Sequence, residues 1–184
     1  LEKERARASF EEGRAKVAAL RIALVRARAE ARQETLVFSD ADLAYPSFVA
    51  AQMELYKQKK TALEESLALL RTNFDLARRQ LEINEGLYES RDVSLLDVMS
   101  SQARVSDARN KVLEAENKYL LDAFEESAKL ESDLAMAAQQ TKEKRDVFSH
   151  TEVRAPVAGI VKHLNVNTLG GVMRSGDQLM EISP

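Results

Sequence analysis

The chain contains no cysteine and no tryptophan, and only 6 glycines and 3 prolines occur among its 184 residues. Without cysteine it can form neither disulfides nor thiolate metal sites. That absence fits the cytosol, and it also fits a secreted or periplasmic protein that needs no disulfides. Aromatic residues make up only 5% of the chain. This composition argues against a single compact globule.

A basic excess is also lacking, because the formal net charge is -3. The chain therefore offers no basic field for nucleic acid or for an anionic membrane. No apolar run approaches the roughly 18–20 residues of a transmembrane helix, and no signal peptide pattern is present. The chain begins at Leu1 rather than at a methionine. We therefore expect a fragment of a longer protein, whose targeting signals this sequence does not report.

Charged residues are abundant, at 31%, and Ala, Glu, Leu, Arg and Lys dominate the first 150 positions. That bias is typical of long helices and coiled coils. Residues 1–35 repeat apolar side chains at spacings of three, four and seven, which predicts an amphipathic helix 1. Residues 36–46 break the pattern and end in Tyr45-Pro46. We expect a loop there, with an extended segment or one helical turn at 40–44.

Two longer helical patterns follow, helix 2 at about 47–89 and helix 3 at about 95–149, separated by a polar tip at 89–94. A short polar connection between long periodic segments makes antiparallel neighbours. The sequence therefore predicts a mainly α fold with a long antiparallel coiled-coil hairpin. Its predicted seam consists of Met53, Tyr56, Leu63, Leu67, Leu70, Phe74, Ala77, Leu81 and Tyr88 on helix 2, and Val98, Val105, Val112, Tyr119, Leu120, Phe124, Leu130, Leu134 and Ala138 on helix 3.

Helix lengths constrain where helix 1 packs. At 1.5 Å per residue, helix 3 spans about 80 Å, helix 2 about 63 Å and helix 1 about 50 Å. The loop at 36–46 can reach about 35 Å. We therefore expect residues 1–150 to form one hairpin domain, with helix 1 packed near its base and a two-helix end above. The alternative places helix 1 end to end with the hairpin.

The pattern changes to short strands and glycine turns over residues 151–184, which predicts a small β unit. About 34 residues cannot bury a stable core alone. We therefore expect an incomplete half-motif with an exposed edge, completed by sequence from elsewhere.

This β segment carries two motifs. Arg-Ala-Pro at 154–156 precedes Gly-Ile-Val at 159–161, and Asn-Thr-Leu-Gly-Gly-Val follows at 167–172. Both resemble the lipoyl-like domain of HlyD-family periplasmic adaptors, also called membrane fusion proteins. The second motif resembles the type I secretion branch more than the drug-efflux adaptors, which remain the alternative. The resemblance extends over the hairpin and so covers nearly the whole chain.

The resemblance implies an adaptor that links an inner-membrane ABC transporter to a TolC-like outer-membrane channel in type I protein secretion. It further implies a periplasmic location with an inner-membrane anchor outside this sequence, and a homo-oligomeric ring. The C-terminal segment 151–184 would be half of a lipoyl-like domain. No enzyme, cofactor, metal or nucleic-acid partner is implied.

The same resemblance points to the hairpin tip as the site of channel docking. In the wider family the tip carries an arginine, a leucine four residues later and a serine or threonine seven residues after that. Leu87 and Ser94 match the last two positions, whereas Ile83 departs from the arginine. Arg91 or Arg79 then remains to supply the cation. Our docking candidates are therefore Leu87, Ser94 and Arg91.

From the residues alone, Ser94 has a second interpretation as a helix N-cap. Ser94-Leu95-Leu96-Asp97 approximates a capping box, with Asp97 in place of glutamate. Capping would engage the hydroxyl whether or not a channel is bound.

Two other protein classes fit parts of the chain, a lipoyl or biotin carrier fragment and a cytosolic coiled-coil scaffold. A carrier would need its modified lysine at a hairpin apex, whereas Lys162 lies inside an alternating strand pattern. His150 and His163 lie in different elements without the spacing of a metal site. No nucleophile motif or phosphate loop occurs in the sequence.

Overall fold

The computed structural model describes residues 2–152, 155, 158–165 and 177–183. Its helices are α1 (Glu2–Arg32), α2 (Asp40–Leu43), α3 (Pro46–Glu89) and α4 (Leu95–His150), and its strands are β1 (Ile160–Leu164) and β2 (Met180–Ser183). The predicted fold class is confirmed: a long helical hairpin with a third helix near its base precedes a small antiparallel sheet. Among the described helices, none has an apolar stretch long enough to cross a membrane.

Helices α3 and α4 form the hairpin. Arg71 on α3 pairs with Glu116 on α4 at 3.1 Å, and nearer the tip the Asn84 amide donates to the Ser101 hydroxyl. These contacts fix an antiparallel alignment along the upper half of the hairpin.

The hairpin seam is less buried than the sequence predicted. Leu67 and Leu81 are buried, whereas Leu63, Leu70 and Phe74 are only half-buried. A pair of helices leaves solvent on both sides of its seam, so only the most central side chains are covered. Met53 and Tyr88, which we also placed in the seam, are exposed, and that part of the prediction was wrong.

Two positions in the second half of the α4 stripe were also wrong, whereas Leu120, Leu130 and Leu134 are half-buried as a seam requires. Phe124 is 54% exposed and Ala138 is exposed, whereas the adjacent Ala123 and Ala137 are buried. Close-packed helix surfaces leave little volume between them, and alanine fits there where phenylalanine would not. The buried positions therefore lie one residue before those that side-chain size alone suggested.

Helix α1 runs antiparallel along α4. The Phe10 and Phe148 rings stack with their centroids 6.1 Å apart. A Cβ added to Gly13 would lie 2.8 Å from the Thr141 hydroxyl oxygen, so the two helices approach each other closely there. Near the other end of α1, the Tyr56 hydroxyl of α3 donates to the Glu34 carbonyl over 3.2 Å. All three long helices therefore meet around the C-terminal part of α1.

The connection between α1 and α3 adopts the helical-turn alternative. Helix α2 is a single turn, and the Asp42 carboxylate accepts from the Ser39 backbone N–H at 3.1 Å and from the Ser39 hydroxyl at 2.6 Å. Arg21 of α1 donates through Nε to the same carboxylate at 2.7 Å. Pro46 occupies the first position of α3, where its missing N–H leaves no helical hydrogen bond unmade.

Strands β1 and β2 pair antiparallel, with Ile160 opposite Ser183, Leu164 opposite Met180 and an irregularity between Val161 and His163. A Cβ on Gly159 would collide with the Ser183 carbonyl oxygen, so this pairing requires glycine. The turn that the sequence predicts at 157–159 lies only partly within the described residues, and the predicted Gly-Gly break at 170–171 lies outside them. The incomplete half-motif thus stays a prediction.

Candidate docking site at the hairpin tip

The chain reverses at the tip through a Schellman motif. Asp92 N–H donates to the Leu87 carbonyl at 2.8 Å, and Arg91 N–H donates to the Tyr88 carbonyl at 3.0 Å. Arg91 occupies the left-handed position of this motif with φ of 65°, a conformation that side chains disfavour and glycine adopts freely. The turn is therefore hydrogen-bonded and well defined even though it lies at the exposed end of two helices.

Ser94 caps the start of α4. Its hydroxyl donates to the Asp97 carboxylate at 2.6 Å and accepts from the Asp97 backbone N–H at 3.3 Å, while Ser94 N–H donates to the same carboxylate at 3.0 Å. These bonds hold the pKa of Asp97 below its ordinary value. The predicted capping role is confirmed. Only one lone pair of the Ser94 hydroxyl remains for a partner, so Ser94 can meet that partner only as an acceptor.

Six large apolar side chains are exposed close to this turn. We call them the apolar tip surface: Ile83, Leu87, Tyr88, Leu95, Leu96 and Met99. Leu96 is 74% exposed and Leu87 is 38% exposed. Apolar groups gathered at one end of a protein mark a site of interaction, whereas single exposed leucines do not.

The three predicted docking residues lie at or beside the chain reversal, but their local environments differ. Leu87 lies in the last turn of α3 and its carbonyl anchors the chain reversal. Arg91 is exposed at the turn itself, and Ser94 is committed to its cap. Sequence reasoning missed Leu95, Leu96 and Met99. The Leu95-Leu96 doublet directly after the turn could have indicated this exposed apolar surface. The end of a two-helix hairpin has little interior, so two adjacent leucines there cannot both be buried.

A polar contact lies at the base of this surface, beside Ile83 and Met99. Asn84 donates to the Ser101 hydroxyl, and Gln80 donates to the Asn84 side-chain oxygen at 3.2 Å. The Ser101 hydroxyl in turn donates to the Asp97 carbonyl at 3.0 Å. A polar pair in an otherwise apolar seam favours one register, because any slip leaves both groups unpaired. The two sides of the tip are thereby held at a fixed height relative to each other.

A cluster of charges lies farther down, where the three long helices meet; Arg26 and Glu30 are buried, whereas Lys59 and Glu126 are partly exposed. Arg26 of α1 is 1% exposed and donates through Nε to Gln52 of α3 at 2.7 Å, through one terminal nitrogen to Glu30 at 2.7 Å and through the other to Glu126 of α4. Lys59 of α3 completes the cluster at 2.8 Å from Glu126 and 3.3 Å from Glu30. The sequence analysis did not identify it.

The hydrogen bonds of this cluster outweigh the effect of burial on its charges. Burial alone would raise the pKa of Glu126, but hydrogen bonds from Lys59 and Arg26 bring it below its ordinary value. Burial likewise opposes the charge on Arg26, yet its bonds to Glu30 and Glu126 raise the pKa. Burial, with a smaller contribution from the Glu30 charge, raises the pKa of Tyr119 to about 12. Both shifts favour the charged forms of Arg26 and Glu126 at neutral pH.

The residues considered for other chemistry lie apart from the tip. Lys162 is an exposed residue within β1, between the two positions of the strand irregularity. His150 ends α4, with its Nδ1 2.6 Å from the Asp146 carbonyl oxygen, and His163 lies in β1. The structure therefore places the two histidines in separate elements.

Comparison with known proteins gives one match at the level of sequence. The chain is 30% identical over 80 residues to the alkaline protease secretion protein AprE of Pseudomonas aeruginosa, a match that spans 44% of this chain and 18% of AprE. No protein-family profile matches the chain.

Among solved structures, the soluble domain of LipC, a membrane fusion protein of a type I secretion system, aligns over 100% of this chain and 88% of its own. Its sequence identity is 20% and the TM-score is 0.47. The sequence match to AprE agrees with the resemblance that the sequence motifs indicated, and the chain is therefore similar to the HlyD-family adaptors of type I secretion.

Proposed function

We propose that this chain supplies the periplasmic hairpin of an adaptor that links an inner-membrane ABC transporter to a TolC-like outer-membrane channel during protein secretion. The observation that carries the proposal is the apolar tip surface around a hydrogen-bonded turn. Helix α4 alone is 56 residues long, about 84 Å, so the hairpin presents this surface far from the β segment.

The chemistry of the tip suits docking against the end of another helical hairpin. Burying Leu87 and Leu96 in a contact removes apolar surface from water, which stabilises the complex. Arg91 offers a cation that replaces the family arginine absent at Ile83. The fixed turn limits the conformational entropy lost on binding, because the backbone is already ordered.

The remaining parts of the proposal follow from the family. The full-length adaptor is anchored in the inner membrane, lies in the periplasm and forms a homo-oligomeric ring. Residues 1–150 are its hairpin domain, and residues 151–184 contribute half of a lipoyl-like domain. Exposed Ile160 and Val161 of β1 are the side chains that the missing half would cover.

Site-specific photo-crosslinking in cells tests the docking directly. A photoreactive phenylalanine analogue replaces Leu96 in the full-length adaptor, and crosslinked products are identified by mass spectrometry. Met136 is the matched control, since it is also an exposed apolar residue of α4 but lies about 60 Å farther along the helix.

We expect the Leu96 probe to capture the outer-membrane channel and the Met136 probe not to do so. Capture of the channel from Met136 alone would place the contact on the shaft and contradict docking through the tip. Capture of a cytosolic protein by the Leu96 probe would favour the scaffold alternative.

A further inference from the structure

Packing between α1 and α4 consists largely of alanine. Helix α1 contains nine alanines among its 31 residues, and four of its six buried apolar side chains are alanine. The buried apolar residues of α4 are Ala123 and Ala137. Five alanines of α1 follow one another at four-residue spacing, so sliding α1 by four residues would exchange alanine for alanine along this row: Ala15, Ala19, Ala23, Ala27 and Ala31. Apolar packing alone therefore distinguishes weakly between alternative registers.

The buried charge cluster discriminates between registers far more strongly. Each of the three nitrogen positions of the Arg26 guanidinium has its own acceptor, on three different helices: Glu30 on α1, Gln52 on α3 and Glu126 on α4. A slip of α1 would move Arg26 and Glu30 away from the hairpin charges together. Burying a charge that has no partner is energetically costly. A register that separates these charges while Arg26 and Glu30 stay buried is therefore less stable.

We infer that the Arg26–Glu30–Lys59–Glu126 cluster is a register lock, which sets the height at which α1 docks on the hairpin. Buried polar groups are known to select one alignment between helices whose apolar seam permits several. Here the lock acts between a third helix and a preformed pair. It defines where the three-helix base ends and where the two-helix arm begins.

The position of the lock fixes the length of that arm. Helix α4 extends from Glu126 to Leu95 beyond the cluster, about 47 Å at 1.5 Å per residue. A slip of four residues would move the end of α1 by about 6 Å. In an adaptor of the proposed kind, this height sets how far the free arm reaches from the base; the lock itself does not depend on that function.

Distance measurements between spin labels report register directly, and the absence of cysteine allows label sites to be introduced singly. Lys16 on α1 and Lys118 on α4 are both exposed. Because Gly13 lies against Thr141, these two positions are about 30 Å apart along α4. The two labelled cysteines are introduced into the chain and their separation is measured by pulsed electron paramagnetic resonance.

The test variant replaces all four charges with methionine: Arg26→Met, Glu30→Met, Lys59→Met and Glu126→Met. We expect it to remain helical by circular dichroism, because apolar replacement of a whole buried ion cluster is tolerated. We also expect the single distance of the parent to be joined by a second population displaced by about 6 Å, the length of a four-residue slip. The control Arg28→Met/Glu131→Met removes an exposed α1–α4 ion pair of 3.1 Å and should keep the parent distance.

A folded quadruple variant that keeps the single parent distance overturns the proposal. If the quadruple variant does not fold, Lys59→Met/Glu126→Met decides by the same criterion, because it leaves the buried Arg26–Glu30 pair intact. Failure of both variants to fold also overturns the proposal, since a register lock is dispensable for helix pairing itself.

Discussion

The Ser94 hydroxyl donates to the Asp97 carboxylate across 2.6 Å and accepts from the Asp97 backbone N–H across 3.3 Å. The residue that the family resemblance assigns to docking is thus also the N-cap of α4. Its two roles can be separated by substitutions that keep one and remove the other.

We predict that Ser94→Ala lowers the free energy of unfolding by about 1 kcal/mol, because the cap is lost. Ser94→Asn should leave stability nearly unchanged, since asparagine caps helices as well as serine does. Denaturant unfolding followed by circular dichroism measures both. Equal stability of Ser94→Ala and the parent would contradict the cap as an energetic feature. If export falls in Ser94→Asn as well, the hydroxyl contributes to docking beyond its cap.

Substitutions at Arg91 separate the effect of its left-handed backbone conformation from the effect of its guanidinium group. Its φ of 65° disfavours any residue with a Cβ, so Arg91→Gly should raise the free energy of unfolding by about 0.5–1 kcal/mol relative to Arg91→Ala. Both variants remove the guanidinium. Thermal unfolding compares them, and a less stable glycine variant would contradict the left-handed turn. Export assays on the same pair show whether the cation is needed.

Leu67 and Leu69 form a matched test of the hairpin seam. Leu67 is buried, whereas Leu69, two residues later, is 64% exposed. Leu67→Ala should lower the free energy of unfolding by about 2–4 kcal/mol, and Leu69→Ala by less than about 0.5 kcal/mol. Half-buried Leu70 should fall between them. Similar losses for Leu67→Ala and Leu69→Ala, measured by urea denaturation, would mean that the seam is misassigned.

The charge cluster and the α2 cap make stability sensitive to acid. Glu126 has a folded pKa below its ordinary 4.5, and Asp42, whose burial is outweighed by hydrogen bonds from Ser39 and Arg21, has one below 3.8. Their stabilising effect is therefore complete above the ordinary pKa values and is lost as pH falls through the folded ones. We therefore expect these two carboxylates to cause no change in the free energy of unfolding from pH 7 to 5. Below about pH 4.5 their protonation should lower the free energy of unfolding.

Glu126→Gln provides the control for that pH profile. The amide lacks the negative charge that pairs with Lys59 and Arg26, so the variant should be less stable than the parent at pH 7. Because the amide cannot titrate, the variant should also lose less stability than the parent between pH 5 and 3. Identical slopes for the parent and Glu126→Gln over that range would show that Glu126 does not contribute to the acid response.

The hairpin was predictable because its helical period continues over many turns on both sides of one polar stretch at 89–94. Pro46 marked the start of α3, and the capping box at Ser94 marked the start of α4. These signals are local, and each agrees with the tertiary structure.

Contacts that involve three helices at once could not be predicted from the apolar pattern of any single helix. Arg26 and Glu30 interrupt the apolar face of α1 and look like surface charges in sequence, yet their partners come from α3 and α4. Phe124 was assigned to the seam for its size, whereas the close approach of helices selected Ala123. Both errors arise because a periodic pattern reports one face of a helix and not the distance to its neighbours.

The central claim is that the hairpin tip docks on an outer-membrane channel, and Leu87→Asp tests it most directly. A carboxylate at this partly exposed position leaves the fold intact, because solvent already reaches Leu87, but it places a charge in the proposed apolar contact. Met136→Asp makes the same change far from the tip. Secretion of the cargo is measured for both variants, with circular dichroism to confirm folding. We predict that Leu87→Asp abolishes export while Met136→Asp retains it; normal export from a folded Leu87→Asp adaptor would contradict the account.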